Sequence, residues 1–144
     1  MTDTRPELVH VVEQDIPFNK LLGIRLESAG NGRAVLVLPV RAELVGDPSR
    51  PALHGGVIST LIDTAGGLAA WAALGPDQVV STVDMRVDYL EPAGLDAPLR
   101  AEADLMRKGN RVCHVRVMVF QGSSLVAEGR AVYNIHKRRH EDKA

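Results

Sequence analysis

One segment limits what this chain can fold into: residues 57–74 carry helical periodicity and are apolar on nearly every side. Val57, Leu61, Thr64, Leu68 and Trp71 recur at helical spacing, as do Ile58, Ile62, Ala65, Ala69 and Ala72. Two broad apolar faces require burial on most sides, so the rest of the chain must wrap this helix. Gly75-Pro76 is expected to end it. Extended segments are expected at residues 24–29, 33–40, 79–90, 99–107, 111–121 and 125–135. Val83, Met85, Val87 and Tyr89 alternate with Thr82, Asp84, Arg86 and Asp88. Cys113, Val115, Val117 and Val119 alternate with His114, Arg116, Met118 and Phe120. Such alternation describes strands with one buried face.

The connections at residues 91–94, 108–110 and 122–124 are short and favour hairpins over crossovers. Gly30-Asn31-Gly32 is a further hairpin signal. Residues 16–23 look like a helical turn, with Pro17 near its start and Gly23 available as a stop. The fold class is therefore α+β, an antiparallel sheet with one long helix on its concave side. Residues 1–15 show no clear periodicity and are expected to be an arm. Two prolines and a glycine are expected to preclude regular structure at residues 45–52, and residues 136–144 to be a frayed end. A single domain over residues 1–144 is expected, its core at about residues 18–135.

A chain of 144 residues buries roughly 68 % of its unfolded surface, enough for one core without disulfides. Seventeen Lys and Arg against eighteen Asp and Glu give a net charge of -1. That balance argues against a nucleic-acid partner, and the Lys137-Arg138-Arg139 run lacks aromatic interleaving. Cys113 is the only cysteine, which fits a reducing compartment. Residues 1–7 lack the start of a secretory signal, and no apolar run reaches membrane length. A cytoplasmic protein without membrane insertion is expected. Cys113 and His114 point to opposite strand faces, which makes a poor dyad. The five histidines show no zinc spacing, so no metal is expected. Ser59 lacks the Gly-x-Ser-x-Gly pattern.

The chemistry concentrates in residues 54–67. Asp63 interrupts a helix that otherwise reads as core, and a carboxylate there needs a reason. Two reasons stand side by side: a structural partner (an arginine, Thr60 or a neighbouring chain), or a role as nucleophile or general base facing a cleft. Gly55 and Gly56 sit where a loop enters the helix. First-turn N–H groups lack intrahelical acceptors and favour negative charge, and glycine lets a carbonyl approach closely. These are the requirements for holding an oxyanion, although a plain flexible helix start accounts equally for two glycines. Asp63 lies eight positions beyond Gly55, about 12 Å along a helix. One carbonyl cannot meet both on the same helix. If they cooperate, Asp63 of one chain faces Gly55 of another, and a two-fold axis makes two equal sites.

From Leu53-His54-Gly55-Gly56 through Asp63, Gly66-Gly67-Leu68-Ala69-Ala70 and residues 80–93, to the segment at residues 101–111, the sequence resembles the hotdog-fold thioesterases. The branch is the PaaI-like one, of phenylacetate-pathway and 4-hydroxybenzoyl-CoA thioesterases, and the resemblance spans about residues 18–135. It implies a five- or six-stranded sheet wrapped around the helix, dimers with joined sheets, and tetramers built from pairs of dimers. It implies an acyl-CoA thioesterase that needs no cofactor, the CoA moiety being part of the substrate. The catalytic carboxylate then falls on Asp63 and the carbonyl-binding N–H on Gly55 of the partner chain. His54 matches a loop-shaping histidine, and Thr82 a hydroxyl that orients substrate or water. Arg107, Lys108 and Arg111, with Arg86 as a further candidate, are the expected contacts for the CoA phosphates. Surface charge at a turn explains the first three equally well, and a salt bridge beside Asp84 and Asp88 explains Arg86. Relatives carry an asparagine six residues before the histidine and a glycine three before it. Here those positions hold Pro48 and Pro51, with Ser49 or Arg50 as nearby substitutes. The rivals are a noncatalytic acyl-CoA or acyl-carrier binding protein and a dehydratase, whose acid-base pair is not found.

Overall fold

In the computed structural model, which describes residues 6–139, the apolar segment is a helix, α3 (Gly55–Trp71). Six strands surround it: β1 (Arg25–Gly30), β2 (Arg33–Leu38), β5 (Gln78–Tyr89), β6 (Leu99–Lys108), β7 (Val112–Gln121) and β8 (Ser124–Lys137). They form one antiparallel sheet in the order β1-β2-β6-β7-β8-β5. This is the α+β hotdog architecture that the resemblance implies. The Asn31-Gly32 turn between β1 and β2 has both residues at positive φ, 52° and 75°, as a tight hairpin turn demands.

Small residues let the helix sit low on the sheet. Ala101 and Ala103 on β6, and Ala127, Gly129 and Ala131 on β8, are all buried. A Cβ on Gly129 would lie 2.4 Å from Ile62 Cγ2, so Ile62 fills the space that glycine leaves. Leu61, Ile62, Ala65 and Ala69 are fully buried beneath Leu36, Leu38, Val117 and Val119. Cys113 is buried with them, and burial pushes its thiol up from the ordinary value.

The structure departs from the sequence-based expectations in several places. Part of the expected arm is structured: α1 (Pro6–His10) leads into a π-helical turn (Val11–Asp15) and α2 (Pro17–Leu22), which Gly23 ends at φ 76°. Leu8 and Val12 are buried, so the core begins ahead of residue 18. Residues 45–52 do not lack regular structure. After a 3-10 turn (Ala42–Leu44), β3 (Val45–Asp47) and β4 (Arg50–Leu53) form a separate hairpin. Pro48 falls in its turn, and a two-stranded ribbon has an outer edge that tolerates the missing N–H of Pro51. Helix α3 starts two residues before the expected boundary and ends three before it, running into tight turns at Ala73 and Leu74. His136 and Lys137 are not frayed; they pair with Val79 and Gln78 on β5. Residues 140–144 and 1–5 lie outside the described chain.

Strand β5 also breaks the expected alternation. Its pairing with β8 slips between Thr82 and Asp84, leaving Val83 as a bulge residue that is 63 % exposed. One extra residue exchanges the two faces of a strand. Upstream, Val80 and Thr82 face α3; downstream, Met85 and Tyr89 do.

Candidate active site

The bulge aims Thr82 at Asp63. Thr82 Oγ1 donates to Asp63 Oδ1 at 2.6 Å. Beneath them the buried Tyr133 hydroxyl donates to the Asp63 carbonyl oxygen at 2.8 Å and lies 3.4 Å from Oδ1. Burial, and then the nearby Asp63 carboxylate, hold the Tyr133 phenol well above the ordinary tyrosine range. Within the chain, neither an arginine nor Thr60 holds Asp63. Among the described residues no cation pairs with it, and the Thr60 hydroxyl donates instead to Gly56 O at 2.8 Å. Asp63 is half-buried and lines a pocket of about 330 Å³ with Phe18, Asn19, Thr60 and Met85. A carboxylate held on one oxygen by a hydroxyl and open to a cleft is equipped to take a proton or to attack a carbonyl.

The second element is the start of α3. His54 is the N-cap, and its ring Nδ1 accepts from Gly56 N–H at 2.8 Å. That acceptor role requires the neutral ring with its proton on Nε2. Val57 N–H bonds back to His54 O at 3.0 Å, so Gly55 N–H is the first-turn donor left without an acceptor among the described residues. His54 N–H in turn reaches Leu44 O at 2.8 Å and fixes the loop to the small hairpin. Tyr89 Oη donates to Gly55 O at 3.1 Å, and its ring would stand 3.2 Å from a Cβ at position 55. A second pocket, of about 340 Å³, opens here between Arg50, Gly55, Ile58, Tyr89 and Pro92. At the departure before the histidine, Ser49 is engaged by Asp47, which accepts from both its N–H and its hydroxyl. Those bonds lower the Asp47 carboxyl pKa. Arg50 is 3.5 Å from the same carboxylate and lines the pocket at Gly55.

The structure therefore brings Thr82 to Asp63 and His54 to Gly55, but leaves the two pairs at separate pockets along one helix. Arg107, Lys108 and Arg111 share the exposed β6–β7 turn at the opposite end of α3 from Gly55. Lys108 Nζ donates to Ala73 O at 3.1 Å, where a cation also complements the helix C-terminus. Arg86 pairs with Asp88 at 3.2 Å on the exposed face of β5. Among the described residues no cluster of three or more His, Cys, Asp or Glu side chains could hold a metal ion, and no helix is long and apolar enough to cross a membrane.

Two contributors were not legible as site residues: Tyr133 and Tyr89. The available signal for Tyr133 was the Gly66-Gly67 pair. A Cβ on Gly66 would lie 2.5 Å from the Tyr133 hydroxyl, so the glycines admit this ring.

With this geometry in place, the comparisons with known proteins converge. Residues 51–128 match the thioesterase superfamily. The medium/long-chain acyl-CoA thioesterase YigI of Escherichia coli K12 is 32 % identical over 134 residues, covering 83 % of this chain and 86 % of that protein. Human acyl-coenzyme A thioesterase 13 is 28 % identical over 133 residues, covering 90 % and 93 %. Among solved structures, a single-residue variant of the phenylacetic acid degradation protein PaaI from Thermus thermophilus superposes with a TM-score of 0.74 at 30 % identity, covering 82 % of this chain and 97 % of that one. The chain belongs to the thioesterase superfamily. It is a thioester hydrolase of the hotdog fold, in the PaaI-like branch.

Proposed function

We propose that the chain hydrolyses acyl-CoA thioesters in sites shared between two copies, each pairing Asp63 of one protomer with Gly55 of the other. The supporting observation is that the carboxylate and the free N–H lie on one helix at separate pockets, eight residues apart. Strand β5 supplies a way to join them. It is an edge strand, bonded to β8 on one side only, and it carries the exposed Val83 and Tyr89. Two copies of β5 paired antiparallel about Arg86 bring Thr82 opposite Tyr89 of the partner subunit, because the bulged Val83 adds no step to the ladder. Thr82 marks Asp63 and Tyr89 marks Gly55, so one two-fold axis completes both sites.

In the reaction, Gly55 N–H polarises the thioester carbonyl and holds the oxyanion. Asp63 takes a proton from water as the hydroxyl oxygen bonds to the carbonyl carbon. The C–S bond then breaks, CoA leaves as thiolate, and the proton returns to it. Direct attack by Asp63, through an acyl-carboxylate anhydride that water then cleaves, uses the same residues. Thr82 orients the carboxylate, and His54 shapes the loop without serving as a base. The basic β6–β7 turn, with Arg107, Lys108 and Arg111, is the candidate contact for the CoA phosphates. A buried free cysteine and a CoA substrate suit a reducing, cytoplasmic setting.

Mixing chains tests the shared site. Asp63→Asn and Gly55→Val chains, each inactive alone, are unfolded and refolded together and assayed for thiol release from acyl-CoA. Heterodimers then carry one intact site, and random pairing restores about a quarter of wild-type turnover. No restoration in verified heterodimers refutes the shared site. No wild-type turnover across acyl-CoA substrates would favour a protein that binds acyl groups without cleaving them.

A further inference from the structure

A further cavity lies beside the one at Asp63. It holds about 370 Å³ between the π-helical turn and the outer side of α3, with Val11, Val12, Ile16, Leu68, Trp71 and Val80 among its walls. It shares Ile16, Asn19 and Thr64 with the Asp63 pocket, so the two adjoin. Its walls are mostly hydrocarbon, with Arg138 the single charged residue among those described.

We infer that this cavity takes the acyl tail of the substrate, that its depth selects unbranched chains of about eight to ten carbons, and that Trp71 sets the limit. The inference rests on the thioesterase reading above and adds which substrates the site prefers. Thr64 stands next to the catalytic carboxylate and Trp71 lies seven residues further along α3, about 10 Å by the helical rise. An extended chain advances about 3.5 Å for every three bonds, so that length accepts roughly nine bonds. The far end is rigid, because the indole N–H of Trp71 donates to Gln78 O at 3.1 Å.

The cover is built rather than draped. Asn19, a buried polar residue, donates from Nδ2 to Val12 O at 3.1 Å, and Glu13 accepts from Leu26 N–H at 3.0 Å. These bonds hold the π-helical turn in place over α3. Such turns are rare and concentrate at functional sites. Val11, only half-buried, offers a position where bulk can be added without disturbing the core.

Trp71 is the only tryptophan in the chain, so its fluorescence reports on this cavity alone. Decanoyl-CoA added to the Asp63→Asn protein is expected to shift the emission saturably, and acetyl-CoA to leave it unchanged. In turnover assays of the full chain, wild type should prefer eight- to ten-carbon acyl-CoA. Val11→Phe should cut kcat/KM for decanoyl-CoA at least tenfold while changing butyryl-CoA less than twofold. Trp71→Leu should move the preference toward longer chains, and it provides an independent test if Val11→Phe does not fold. A wild-type protein that hydrolyses acyl-CoA with one chain-length profile in all three forms overturns this assignment and leaves hydrolysis at Asp63 standing. A wild-type protein that hydrolyses no acyl-CoA overturns both.

Discussion

Thr82 Oγ1 lies 2.6 Å from Asp63 Oδ1, tying an edge strand to the middle of the buried helix. The bond exists because Val83 bulges out of β5 and exchanges the faces of the strand. It fixes one carboxylate oxygen and, in the proposed reaction, leaves the other for the attacking water. A bond from hydroxyl to carboxylate contributes about 1.5–3 kcal/mol. If it is made fully in the transition state, Thr82→Val should lower kcat/KM about ten- to a hundredfold. Thr82→Ser should retain most of the rate, since the donor survives. Equal rates in the valine and wild-type proteins would remove Thr82 from the mechanism.

Asp63 itself is tested by exchange for its neutral isostere. Asparagine keeps an oxygen to accept from Thr82 but cannot take a proton from water. General-base catalysis contributes about 10²- to 10⁴-fold, so Asp63→Asn should lose that much of kcat/KM in a thiol-release assay. Because Asp63 is half-buried and pairs with no cation among the described residues, thermal stability should stay near wild type. Full turnover in a folded Asp63→Asn protein would sink the proposed chemistry.

His54 separates a loop-shaping role from a catalytic one. Its Nδ1 accepts from Gly56 N–H, and losing an N-cap acceptor costs about 1 kcal/mol. His54→Ala should therefore lower the melting temperature by about 3 °C in a protein of this size. His54→Asn, which can cap in the same way, should restore both stability and rate. If asparagine restores stability but activity stays low, the imidazole does more than shape the loop.

The helix, the main extended segments and the position of Asp63 were legible because each rests on a short-range pattern. The all-apolar helix dictated its own burial, and the short connections at residues 108–110 and 122–124 dictated the β6–β7 and β7–β8 hairpins. The expected hairpin at residues 91–94 does not form: β5 pairs with β8 at the sheet edge and is no neighbour of β6. The bulge at Val83 was hidden: an unbroken alternation from Thr82 to Tyr89 gives no sign that one residue is extra. That concealed why Thr82 meets Asp63. The β3–β4 hairpin was hidden by two prolines, which forbid a central strand but not a two-stranded ribbon. Tyr133 reaches Asp63 from seventy residues away, a contact set by tertiary packing rather than local spacing.

Tyr133 makes stability depend on alkaline pH. Burial first, and the Asp63 carboxylate second, raise its folded pKa above that of the unfolded chain. Its contribution is complete below about pH 10, where both states hold the proton. Above that, the unfolded chain ionises first and stability should fall by about 1.4 kcal/mol per pH unit until the folded phenol itself ionises. Urea titrations at pH 9, 10 and 11 should show this slope in wild type and less of it in Tyr133→Phe. Matching slopes would show that Tyr133 ionises freely in the folded protein.

The last prediction concerns the open edge of β5, where assembly and activity should stand or fall together. Val83 is 63 % exposed in the isolated chain, so replacing it should cost the folded monomer no more than about 0.5 kcal/mol. An aspartate at this position opposes edge-to-edge pairing, because in the proposed pairing Val83 lies against Asp88 of the partner subunit and like charges across a ladder repel. Val83→Asp should therefore sediment as a 15.6 kDa monomer where wild type sediments as a dimer or larger. Turnover should collapse with it, although Asp63, Thr82 and Gly55 remain in place, because no partner then supplies the N–H that holds the oxyanion. Raising the protein concentration should recover dimer and rate in proportion. A folded monomer with undiminished turnover would locate the whole site within one chain and remove the need for a partner.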